Sequence, residues 1–225
     1  DKTMRKAALV LSLSVNLGVL FLFKYYNFFT DSLFLLLQNL HLNVNMMDLN
    51  LVLPIGVSFY TFQSIGYTID VYRRHLKPER NVFTFLAFTT FFPHLVAGPM
   101  MRGRDLLPQF YKTRRLSVDS VKMAVWLILW GFFLKTVIAD NAAQYVETTF
   151  RPHQADGTFT ILGTLAFGLQ IYCDFCGYAL IAKGTAKLLG FDLIWNFMHP
   201  YFSTSIQDFW RRWHIALSTW LRDYL

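Results

Sequence analysis

A chain of 225 residues that is 54% hydrophobic and only 16% charged, with 23 Phe, 11 Tyr and 6 Trp, has too little polar surface for an ordinary water-soluble domain. Its formal charge of +7 does not indicate a nucleic-acid partner, because the bases sit in short segments between apolar stretches, as in the cytoplasmic loops of membrane proteins. Two cysteines, Cys173 and Cys176, exclude a disulfide framework.

The first apolar stretch covers about residues 7–29, behind Lys2, Arg5 and Lys6. A bilayer-spanning helix needs about 20 such residues. Lys24, among Tyr25, Tyr26, Phe28 and Phe29, suits an interfacial belt. Residues 30–50 hold no Lys or Arg and are expected outside. A second span is expected over residues 49–72, kinked at Pro54 and Gly56. Arg73, Arg74, Lys77 and Arg80 follow it.

Residues 82–101 are apolar but flanked on both sides by basic loops. A single crossing would put one loop on the wrong side, and Pro93, Gly98 and Pro99 interrupt the stretch. The expectation is a re-entrant hairpin, tolerated where protein or a wet cavity covers its backbone. Further spans are expected over residues 123–139 and 158–182. The bases then alternate coherently, with the N-terminus cytoplasmic. The chain opens on Asp1 and stops at Leu225 inside a strong pattern, so it is expected to be part of one membrane domain, incomplete at both ends.

Ser205 followed by Asp208 fits a capping box, which starts a helix expected to run to the end of the chain. At helical spacing Ile206, Phe209, Trp210, Trp213, Leu217, Trp220, Leu221 and Tyr224 share one face. Gln207, Arg211, His214, Ser218 and Arg222 form a polar stripe beside it. His214 falls at the seam, where an imidazole titrating near neutrality suits general-base work on a hydroxyl. The plain alternative is a helix that simply lies on the membrane.

Residues 207–225, QDFWRRWHIALSTWLRDYL, closely resemble the histidine-bearing signature of bacterial membrane-bound O-acyltransferases (MBOAT), in their polysaccharide O-acetylation branch. LPIGVSFYTFQSIGYTIDVYRR (53–74), FFPHLVAGPMMRGRDLLPQF (91–110), LQIYCDFCGYALIAKGTAKLLGF (169–191) and FLFKYYNFF (21–29) carry the same resemblance, in order along the chain. It implies an all-α polytopic transmembrane fold, with re-entrant and amphipathic helices around a buried tunnel. It implies an acyltransferase of the bacterial inner membrane that moves an acetyl group from a cytoplasmic thioester such as acetyl-CoA. The eventual acceptors are hydroxyls of an exported polysaccharide, often reached through a periplasmic acetyltransferase partner. No bound cofactor is implied. His214 matches the family histidine, with Trp210, Arg211, Trp213 and Trp220 shaping its surroundings. A second family histidine would lie beyond Leu225. An MBOAT acylating a lipid or a protein, and a non-enzymatic transporter or scaffold, stand as alternatives.

Other candidates have plainer readings beside them. Gln170, Asp174 and Tyr178 recur every four residues and share a face; they line a tunnel or hold the bundle by hydrogen bonds. His94 lines the same cavity or caps the hairpin turn. Arg102 and Arg104 suit donor phosphates, but as loop bases they already have a topological role. Cys173 and Cys176, in an apolar helix with no second pair, point to packing and not to metal.

Overall fold

The computed structural model describes residues 2–42, 54, 56–95, 98–150 and 157–225, and all regular structure among them is helical. Helix α1 spans Lys2–Asn39, with one π-helical turn at Phe21–Tyr25. It is followed by α2 (Val57–Tyr72), α3 (Val82–Thr89), α4 (Phe92–Leu95) and α5 (Gly103–Tyr111). The long α6 (Val118–Thr149), with a π-helical segment at Phe133–Ala139, precedes α7 (Gly157–Leu188). Two short helices, α8 (Ile206–Arg212) and α9 (Ile215–Tyr224), end the chain.

Three of these helices, α1, α6 and α7, are long and apolar enough to cross a membrane. At 1.5 Å per residue the 32 residues of α6 or α7 reach about 48 Å, beyond the ~30 Å hydrocarbon core. The chain is a membrane protein. Both α1 and α6 run further than their hydropathy predicts, to Asn39 and Thr149. In those extensions Thr30, Ser32, Thr148 and Thr149 donate their hydroxyls to carbonyls one turn back, so the polar groups are satisfied within the helix.

The described residues fall into two compact units. In the first, Asp1–Thr90 with Arg102–Arg104, α1 and α2 run antiparallel. Arg5 donates to the Tyr72 carbonyl (2.7 Å), Ser12 meets Thr68 (3.1 Å) and Lys24 reaches Ser58 (3.5 Å). Gly56 has φ +76° and sits at the N-cap of α2, so it starts the helix where a kink inside a span was expected. Residues 49–53 of that expected span lie outside the described residues. Gln63 anchors α3 by donating to the Phe88 carbonyl at 3.1 Å.

In the second unit, Phe91–Met101 with Asp105–Leu225, α6 and α7 pack antiparallel at very short range. A Cβ placed on Gly177 would lie 2.7 Å from the Gly131 carbonyl oxygen, and one on Gly184 would lie 2.7 Å from that of Ala124. Small residues therefore let the two backbones touch, as in helix pairs within bilayers. The stretch 82–101 is broken: α3 has eight residues and α4 four, so neither crosses a membrane alone.

Candidate active site

The C-terminal segment does not form the single helix that its periodicity predicts. α8 ends at Arg212, Trp213 is extended (φ −101°, ψ 130°), and His214 is left-handed (φ 43°, ψ 52°) as the N-cap of α9. A residue with a Cβ pays about 1–2 kcal/mol for that conformation, so the surroundings must hold it. They do so through the segment after α7. Met198 N–H donates to the Arg212 carbonyl at 2.9 Å, and Ile215 N–H donates to the Asn196 carbonyl at 3.0 Å. Asn196 Oδ1 accepts from Ala216 N–H at 3.2 Å and lies 3.1 Å from His214 Nδ1. Asn196 thus caps α9 from twenty residues upstream, a role that a local Ser or Asp usually takes.

The half-buried imidazole of His214 meets the ring of Phe175 edge-on, with centroids 4.7 Å apart. Burial pushes it down to about 4, so it is neutral at pH 7 and a weaker base than a solvated imidazole. Trp213, half-buried, packs against Phe197 (5.0 Å), Tyr172 and Tyr201, and stacks on Phe209. Trp210, Arg211 and Ser218 line a cavity of about 370 Å³ with Gln207, Ile215, Thr219 and Arg222. Gln207, Arg211, Ser218 and Arg222 of the predicted polar stripe thus stay together across the break at 213–214, while His214 turns to Asn196 and Phe175. Arg212, 3.0 Å from Asp208, holds that carboxyl below its usual range.

The segment that presents Asn196 is itself pinned. Gln109 accepts from Asp192 N–H (2.8 Å) and donates to the Asp192 carbonyl (3.0 Å). Lys183, buried near the end of α7, pairs with the Asp192 carboxylate at 3.0 Å and donates to the Leu193 carbonyl. A second cavity of about 370 Å³ opens between α6, α7 and this segment, with Trp130, Cys176, Lys183, Trp195 and Asn196 in its wall.

Residues 73–225 match the sequence profile of MBOAT, the membrane-bound O-acyltransferase family. The chain belongs to this family. It is 43% identical over 217 residues to the probable alginate O-acetylase AlgI of Pseudomonas putida, covering 96% of this chain and 44% of that protein. A protein of the same name from Pseudomonas aeruginosa is 44% identical, with 96% and 41% covered. The peptidoglycan O-acetyltransferase of Helicobacter pylori is 32% identical over 244 residues, with 96% and 45% covered. The chain therefore spans less than half the length of these relatives.

Within this MBOAT chain the remaining predicted residues have defined places. Asp174 and Tyr178 do share a face of α7, and what they face is Lys135 of the π-helical segment. Its Nζ lies 2.8 Å from Asp174 Oδ1 and 5.5 Å from the Tyr178 ring centroid. Gln170, one turn earlier, is half-buried, and its Oε1 has no partner among the described residues. His94 is fully buried in α4, with its ring 5.4 Å from that of Phe91. Cys173 and Cys176 are buried, free thiols in the apolar core of the unit. Sequence reading missed Asn196, Lys135, Lys183 and Gln109. The one signal for Asn196 was a lone amide inside the aromatic run Trp195–Asn196–Phe197.

Proposed function

We propose that the whole protein is an O-acetyltransferase of the bacterial inner membrane. It takes an acetyl group from a cytoplasmic thioester, acetyl-CoA, and delivers it across the membrane towards hydroxyls of an exported polysaccharide. A periplasmic acetyltransferase is the partner that completes the delivery, and the chain is multi-pass. The observation that carries this reading is the neutral imidazole of His214, held in a left-handed N-cap and backed by Phe175 and Asn196, in a chain of the O-acyltransferase family.

In this reading the imidazole takes the proton of the attacking hydroxyl as its oxygen bonds to the acyl carbon. The carbon–sulfur bond breaks, and the leaving thiolate takes that proton from the imidazolium, which returns to its neutral form. A positioned base of this kind contributes about 10²–10⁴-fold in rate. The relatives named for acetylation of alginate and of peptidoglycan favour a polysaccharide acceptor over a lipid or a protein.

The test is His214→Ala beside His214→Asn in the full-length protein, since Asn tolerates the left-handed conformation better than Ala. Export of the polysaccharide is expected to continue while its acetyl content vanishes in both. Undiminished acetylation by a folded variant would remove His214 from the chemistry. Arrest of export itself would favour a transporter.

A further inference from the structure

We infer that Asn196 fixes the His214 imidazole in the tautomer that carries its proton on Nδ1 and leaves the Nε2 lone pair open to the reacting hydroxyl. Asn196 is then a positioning residue. The Nδ1 proton follows from geometry and the bare Nε2 from the neutrality of the buried ring; the catalytic consequence rests on the reading of His214 as the base.

The two ends of an Asn amide look alike, so its orientation has to be argued from partners. Here the partner is a backbone N–H, which can only donate. Ala216 N lies 3.2 Å from the amide atom that also faces His214 Nδ1. If that atom were Nδ2, two donors would oppose each other at a side chain only 3% exposed. The atom is therefore Oδ1, a pure acceptor. An acceptor 3.1 Å from Nδ1 requires Nδ1 to bring the proton, because a bare Nδ1 would set lone pair against lone pair. A neutral imidazole has one proton, so Nε2 has none.

The arrangement cannot easily relax. The Asn196 main chain is held by Ile215 N–H, and Met198 is tied to Arg212, so the segment is fastened on both sides of the histidine. The Phe175 ring packs against the imidazole at right angles, centroids 4.7 Å apart. Hydrogen-bonded partners of this kind select which ring nitrogen of a histidine is free to react.

The experiment uses the full-length protein labelled with ¹⁵N-histidine, reconstituted in lipid nanodiscs. The His214 signals are assigned by their absence in His214→Asn. At pH 7 the expected spectrum shows a protonated Nδ1 and a bare Nε2; the opposite tautomer overturns the inference whatever the activity. Asn196→Asp keeps an acceptor for both donors, so it is expected to hold the tautomer and to turn over within about tenfold of the parent. Asn196→Leu removes the acceptor. It is expected to mix the tautomers and to lower kcat by on the order of 10²-fold with little change in the KM for the thioester. A helix cap alone would not move the tautomer, so a folded Asn196→Leu with the parental tautomer and kcat overturns the positioning role. If Asn196→Leu does not fold, Asn196→Asp decides: loss of the Nδ1 proton there overturns the role, and its retention supports it. An active His214→Asn sinks the proposed function and leaves the tautomer standing.

Discussion

Lys135 Nζ lies 2.8 Å from Asp174 Oδ1, joining the π-helical segment of α6 to the middle of α7. The same ammonium is 2.6 Å from Asp140 Oδ1. One cation thus serves two carboxylates on helices long enough to span a bilayer, where ionisable groups are rare and almost always paired. The widened π turn brings Lys135 and Asp140 onto one side, which a regular α-helix would separate by a further part of a turn.

Removing the cation should therefore cost more than removing one anion. Lys135→Met leaves Asp140 and Asp174 facing each other without a counter-charge. It is expected to lower stability by about 2 kcal/mol, between the ranges for exposed and buried pairs. Asp174→Asn leaves Lys135 paired with Asp140 and should cost about half as much. Melting temperatures in detergent check the order; a Lys135→Met protein as stable as Asp174→Asn would contradict it.

Helix packing predicts opposite outcomes for two glycines, one inside the α6–α7 contact and one outside it. Gly177→Ala drives a Cβ to 2.7 Å from the Gly131 carbonyl oxygen, and backbone cannot move aside cheaply. A loss of about 1–3 kcal/mol is expected, as for overpacking. Gly18, inside α1, has nothing within 4 Å of an added Cβ. Gly18→Ala should be neutral or stabilise by up to about 1 kcal/mol through helix propensity. Thermal unfolding of both variants separates the two cases.

Gln109 offers a test of how the segment that carries Asn196 is held. Its amide closes both main-chain hydrogen bonds of Asp192, four residues before Asn196. Gln109→Met keeps the volume and removes both bonds, at a cost of about 1–2 kcal/mol. Because Asn196 supports His214, activity should fall several-fold as well, although Gln109 is remote from His214 in sequence. Acetyl transfer assayed alongside protection of the 190–196 amides from hydrogen exchange checks this. Unchanged exchange would mean that Lys183 and the Asn196–Ile215 bond hold the segment without Gln109.

The membrane character and the three long helices were legible because runs of about 20 apolar residues are rare outside bilayer-spanning helices. Helix ends were not, since threonines and serines that bond to their own backbone let α1 and α6 continue past the apolar window. The break at His214 was hidden for a different reason. Apolar residues keep helical spacing straight through 206–221, and the interruption is imposed from outside by Met198 and Asn196. His214 itself could be found through the family signature. Asn196 could not, because a capping residue twenty positions away leaves no local period to read.

The pH dependence of stability follows from the same histidine. Its folded pKa of about 4 lies below the unfolded value near 6.5, because burial disfavours the charged ring. The unfolded chain therefore binds the proton first as pH falls. The contribution of His214 is fully present above about 6.5 and is lost progressively between there and about 4, where both states are protonated. Allowing for solvent screening of a half-buried ring, the loss is on the order of 2 kcal/mol. His214→Asn retains an N–H for Asn196 and the left-handed backbone but has nothing to titrate. Melting temperatures measured from pH 7 to pH 4 should fall more steeply for the parent than for His214→Asn. Parallel curves would show that the imidazole is as well solvated folded as unfolded.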